Sequence, residues 1–192
     1  MRGFVLVGGW PGSGKTTLSR ALAAELPLPL LSKDEVKEAL MDALGAPSDV
    51  EESRRLGRAA VFAVLAAARG CPGAVVDSTW YSYAEALARD LPGPVVEVRC
   101  RVPLATAQER YAARTRDERH LDDRRRSSEL WAEEVAPLGL GPVLDVDTSV
   151  PVDVAQVATA CRALLTDEPR HGRVDVAPRH LRGTVRPWDD RA

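Results

Sequence analysis

The strongest chemical signal lies near the amino end, in Gly9-Trp10-Pro11-Gly12-Ser13-Gly14-Lys15-Thr16. These residues satisfy the spacing of glycine, four residues, then glycine-lysine-threonine at every fixed position. Holding a polyphosphate needs this set. Glycines let the backbone wrap closely around phosphate oxygens with several N–H groups turned inward. A helix opening near Gly14 adds the positive end of its dipole. Lys15 is placed to reach the β- and γ-phosphates of a nucleoside triphosphate, and the Thr16 hydroxyl to ligate Mg²⁺. Gly9, Gly12, Ser13, Gly14 and Thr17 complete the expected cradle. The motif implies triphosphate binding and leaves hydrolysis and transfer equally open.

A second set of residues supplies acceptor chemistry. Ligands of open α/β sheets sit at the carboxyl ends of the strands, and Asp34, in Leu31-Ser32-Lys33-Asp34-Glu35-Val36-Lys37, follows such an end. A carboxylate there can take the proton of an attacking hydroxyl. In a loose phosphoryl-transfer transition state it chiefly orients the nucleophile. Capping of the following helix is the alternative role for Asp34, and one residue can do both. Asp77, in Val75-Val76-Asp77-Ser78-Thr79, resembles a Walker B carboxylate that holds Mg²⁺ or orients the acceptor; a plain strand-end turn is its alternative. Of the 26 basic residues only Lys15, Lys33 and Lys37 are lysines, all within the first 37 residues. Lysine is a compact charge and arginine a planar fork, so Lys37 joins Asp34 and Asp77 as a candidate substrate residue. The segment Glu109 to Arg126 holds seven arginines and five interleaved acids. Arg110 and Arg114, four apart, share a helix face and suit a lid that closes on phosphates. A solvated, ion-paired face is the competing reading of these arginines, Arg110 and Arg114 included.

The pattern around these residues predicts the elements that position them. Short apolar runs at Phe4–Val7, Leu28–Leu31, Ala74–Val76, Val95–Cys100 and Val143–Val146 read as strands. Helical periods at Ser13–Glu25, Lys33–Leu44, Val50–Arg69, Pro103–Arg114, Ser127–Val135 and Val152–Leu165 read as helices. Strands alternating with helices imply a parallel sheet covered on both faces, a three-layer α/β sandwich with five strands. The expected domain spans 1–166, with a lid near 108–127. The tail 167–192 has no clear periodicity, and Trp188 is its one large apolar anchor.

Composition narrows the function classes. The chain has 192 residues, 45% hydrophobic and 28% charged, with a formal net charge of -2. Generic nucleic-acid coats and membrane-surface proteins want strong positive excess. The longest apolar run, Ala59–Ala68, has 10 residues, against about 20 for a membrane span. The apolar stretch at the amino end is too short for a signal peptide, so a cytoplasmic protein is expected. Cys71, Cys100 and Cys161 read as buried free thiols. His120, His171 and His180 lack metal-ligand spacing.

Three features, GWPGSGKTT, LSKDEVKEAL and VVDST followed by ERYAAR, give the chain a resemblance to small P-loop kinases. It is similar to bacterial ATP-dependent kinases, to chloramphenicol phosphotransferase-like enzymes and to the kinase domain of polynucleotide kinases. The resemblance implies Asp34 as general base, Asp77 as the acidic residue after the third strand, Arg110 and Arg114 as lid arginines, and adenine near Thr148–Asp153. It also implies ATP, and no Asn-Lys-x-Asp segment of guanine-specific proteins is present. The expected activity is transfer of the γ-phosphate of ATP to a hydroxyl of a small molecule. Two alternatives stand beside it: a 5′-hydroxyl polynucleotide kinase, with Lys33, Lys37 and the arginines on backbone phosphates, and a nucleotide-dependent regulatory switch.

Overall fold

The computed structural model describes residues 1–113, 118–121, 130–131 and 135–166. Five parallel strands, β1 (Gly3–Gly8), β2 (Leu30–Ser32), β3 (Gly73–Asp77), β4 (Val95–Arg101) and β5 (Val143–Asp147), form one sheet in the order β2-β3-β1-β4-β5. Helices α1 (Lys15–Glu25), α2 (Lys33–Leu44), α3 (Val50–Arg69), α4 (Glu85–Ala88), α5 (Leu104–Ala113) and α6 (Val154–Thr166) connect and cover the strands.

The period-2 geometry of β1 builds both layers of the core. Val5 and Val7 point to one face, where they pack with Leu18 and Leu22 of α1 and Val157 and Cys161 of α6. Phe4 and Leu6 point to the other, against Val61, Val64 and Leu65 of α3 and against Trp80. All six residues of β1 are buried. This is why the strand reads as a continuous apolar run, the mark of a sheet covered on both sides.

Several element ends differ from the sequence expectation for identifiable reasons. β2 begins at Leu30, because the Leu28 N–H still bonds to the carbonyl of Ala23 and pairing with β3 opens at the carbonyl of Pro29. α1 begins at Lys15, because Gly14 precedes it in the left-handed region at φ 84. β3 runs on through Asp77, which is therefore the last residue of the strand. The short helix α4 and the single turn Ser82–Ala84 were not signalled by any apolar period. Of the helix expected over 127–135 only Leu130, Trp131 and Val135 are described, and Val135 lies outside any helix. Arg114, most of the expected lid, and the tail 167–192 lie outside the described residues. Cys100 and Cys161 are buried free thiols, whereas Cys71 is only half-buried. Among the described residues no helix is long and apolar enough to cross a membrane.

The register delivers the chemistry to one edge. Asp77 is paired with Val7 on β1 and with Ser32 on β2. The cradle follows β1 and Asp34 follows β2, so three segments far apart in sequence meet at the carboxyl ends of adjacent strands.

Candidate active site

The phosphate loop is held open by its own backbone. Gly9, Gly12 and Gly14 take φ values of 147, 77 and 84. At Gly12 the demand is steric as well: a Cβ there would stand 2.3 Å from the Ala107 carbonyl oxygen and 3.0 Å from the Tyr111 amide nitrogen, both on α5. The loop thus lies directly against α5. Trp80 supports it from below, donating its Nε1–H to the Val7 carbonyl at 3.0 Å and filling the space over Gly8. Thr148 closes the far side, donating its hydroxyl to the Ser13 carbonyl at 2.6 Å. The Ser13 hydroxyl is buried without a hydrogen-bond partner, which fits a loop whose polar groups await an anion. Lys15 is nearly buried and its Nζ rests 3.5 Å from the Trp10 carbonyl.

Thr16 donates its hydroxyl to Asp77 Oδ2 at 2.7 Å. Asp77 is 3% exposed and its Oδ1 has no hydrogen-bond partner. Burial holds its carboxyl above the ordinary aspartate range, and the Asp34 charge adds to this; Lys15 and the Thr16 hydroxyl pull the other way. A buried carboxylate with a spare oxygen beside a threonine hydroxyl is a hard-oxygen donor set, and it fits Mg²⁺.

Asp34 is the second residue of α2, and the helix N-cap is Ser32. Asp34 thus stands in the acidic first turn of α2, one residue inside the helix start. Its carboxylate meets Lys33 Nζ at 3.1 Å. Lys15, Lys33, Asp34, Asp77, Ser78 and Thr79 line one small cleft. The structure therefore brings Lys15, Asp34 and Asp77 together. It does not bring Lys37, which is 1% exposed and donates to Ser53 Oγ at 2.7 Å in the packing of α2 on α3. The expectation that Lys37 faces the substrate is corrected by this burial. Ser53 in turn donates to the His120 carbonyl, and His120 Nε2 lies 2.9 Å from Glu38 Oε1. Lys37 and His120 belong to one internal network.

Arg110 reaches the loop after β5, donating from its two terminal nitrogens to the carbonyls of Thr148 at 2.8 Å and Ser149 at 3.1 Å. In this position it braces the segment expected near adenine. Trp131 stands edge-on to both Trp10 of the cradle, at 6.2 Å between ring centres, and Tyr111 of α5, at 5.8 Å. Sequence reasoning missed Trp80 as part of the site, named Thr148 only within the segment near adenine, and named Lys33 only in the polynucleotide alternative. Lys33 left a signal as one of three clustered lysines, whereas Trp80 acts through a long-range contact with no local pattern.

Residues 4–134 match the family described as AAA domain. The chain belongs to that family. As an AAA domain it is 33% identical to a candidate kinase from Chloroflexus aurantiacus, with a TM-score of 0.76 over 85% of this chain and 98% of that one. A gluconokinase from Sinorhizobium meliloti shares the fold at 21% identity and a TM-score of 0.57, over 85% of this chain and 95% of that one. An uncharacterised Mycobacterium tuberculosis protein is 35% identical over 125 residues, covering 57% of this chain and 25% of that protein. The chain thus spans about a quarter of the length of the curated relatives it matches. The fold is that of small P-loop kinases.

Proposed function

We propose that the protein is an ATP-dependent kinase that moves the γ-phosphoryl group to a hydroxyl of a small molecule. The observation that carries this reading is the shared cleft, which Asp34 lines together with Lys15 and Asp77. A triphosphate held by the loop presents its terminal phosphorus there. The acceptor oxygen attacks that phosphorus in line, the bond to the β-phosphate oxygen breaks, ADP leaves, and the hydroxyl proton passes to Asp34. Lys15 is the group that meets the γ-phosphate oxygens. Thr16 and Asp77 would hold Mg²⁺, which neutralises phosphate charge when bound. Arg110, through Thr148 and Ser149, fixes the loop beside the nucleotide; Arg114 is proposed with it as a lid arginine.

The similarity to a gluconokinase supports a soluble hydroxyl compound as acceptor. The polynucleotide alternative loses one of its proposed phosphate contacts, because Lys37 is buried.

The test uses ATP and Mg²⁺ with D-gluconate, D-glucose, adenosine, chloramphenicol and a 5′-hydroxyl oligonucleotide, with ADP release as the readout. One class of acceptor should raise turnover above hydrolysis by water. Asp34→Asn should reduce that turnover by about 10²–10⁴-fold, the usual worth of a general base, and leave calorimetric ATP affinity within about twofold. Wild-type kcat in Asp34→Asn removes Asp34 as the base.

A further inference from the structure

We propose that Lys33 is a positioning residue of this reaction: its ammonium holds the Asp34 carboxylate in the orientation from which it meets the acceptor hydroxyl. The inference rests on the reading of Asp34 as base.

The cleft contains two cations and two carboxylates, and three of the four are already committed. Lys15 belongs to the phosphate loop, and Asp77 accepts the Thr16 hydroxyl. Asp34 is the acceptor-side carboxylate, and Lys33 is the cation that touches it, 3.1 Å from Oδ1. Consecutive helix residues do not normally face one another. Lys33 and Asp34 are the first two residues of α2, so their contact requires Lys33 to fold back over its neighbour. The lysine lies along α3: a Cβ at Gly57 would stand in ordinary van der Waals contact with Lys33 Nζ at 3.6 Å and Cε at 3.8 Å.

The pair is also shielded. The two side chains are 22% and 35% exposed, so water screens the attraction less than at a surface pair. Other charges among the described residues surround the pair. Asp77 repels Asp34 across the cleft. Arg20 of α1 is paired with Glu35 at 3.1 Å, and on α3 Arg54 and Arg58 reach Glu51. Lys33 thus offsets, at the base, the repulsion from the Asp77 carboxylate and the incoming phosphates.

The test compares Lys33→Met, Lys33→Arg and Asp34→Asn in the full chain, with ATP and Mg²⁺, and with water and the compounds named above as acceptors. Lys33→Met should lower kcat by about 10–100-fold, the effect usual for losing a partner that orients a reacting group. ATP affinity and acceptor KM should stay within about twofold, and the melting temperature should stay near wild type. Lys33→Arg, which keeps the charge, should recover most of the kcat. Unchanged kcat in Lys33→Met alongside a strongly impaired Asp34→Asn overturns the inference alone. A raised acceptor KM at normal kcat assigns Lys33 to the acceptor and overturns it too, as does equal loss in the Met and Arg variants. Full turnover in Asp34→Asn removes the base and the inference together, as does a wild-type protein that turns over ATP with no acceptor, water included.

Discussion

The contact between the phosphate loop and α5 gives a sharp prediction, because two glycines of the same loop share a positive φ and differ in what a side chain would meet. Gly12 and Gly14 both sit at positive φ, 77 and 84. A Cβ at Gly14 meets nothing nearer than Thr148 Cβ at 3.8 Å, whereas at Gly12 it meets backbone of α5 at 2.3 and 3.0 Å. Gly14→Ala should therefore cost only the left-handed backbone penalty, about 1–2 kcal/mol. Gly12→Ala carries the same penalty plus displacement of loop or helix, about 1–3 kcal/mol by analogy with overpacking. For a domain of this size about 1 kcal/mol moves the melting temperature by roughly 2–4 °C. The expected losses are about 2–8 °C for Gly14→Ala and about 4–20 °C for Gly12→Ala, measured by calorimetry without nucleotide. Equal losses would refute the argument that α5 seats directly on the loop. The same contact links the loop to the helix that carries Arg110, so the Gly12 variant should also weaken ATP binding more than the Gly14 variant.

Other outcomes follow from buried groups. Because burial raises the Asp77 carboxyl, keeping it ionised opposes folding: its contribution is least harmful at low pH and worsens as pH rises past the ordinary aspartate value of about 4. Asp77→Asn should then raise the melting temperature of the nucleotide-free protein at pH 7, with a smaller gain near pH 4, and should weaken Mg²⁺-dependent ATP binding; a lowered melting temperature at pH 7 contradicts this. Glu97, 3% exposed on β4, accepts the amides of Leu138 at 2.5 Å and Leu140 at 2.8 Å. Glu97→Ala leaves both amides without their acceptor and should cost about 2–6 kcal/mol, read by urea denaturation, with ATP affinity retained; an unchanged midpoint argues against the tie. Burial pushes the Cys100 and Cys161 thiols up to about 12. A native thiol titration at pH 8 should find one fast-reacting cysteine, Cys71, and denatured protein should show all three. Two fast thiols in the native state refute it.

The sequence by itself determined the phosphate loop and the main strands and helices, though not the short helix α4. The phosphate loop was legible because backbone wrapping, dipole and lysine are encoded in eight consecutive residues. The five strands and the layered α/β class were legible because a sheet covered on both faces demands short continuous apolar runs between helical periods. Asp34 and Asp77 could be named as strand-end acids, but not joined. Their meeting depends on the strand order that sets β3 between β1 and β2, and on the register that pairs Asp77 with both Val7 and Ser32. The tertiary structure alone decided the fate of the lysines. Lys33 and Lys37 stand four apart on one helix and look alike in sequence; the packing of α3 leaves the first over a glycine at the cleft and buries the second against Ser53. The roles of Trp80, Thr148 and Glu97 likewise come from contacts 41 to 135 residues apart. No period or motif along the chain encodes such a distance; it is fixed only when the apolar faces of the elements close on one another.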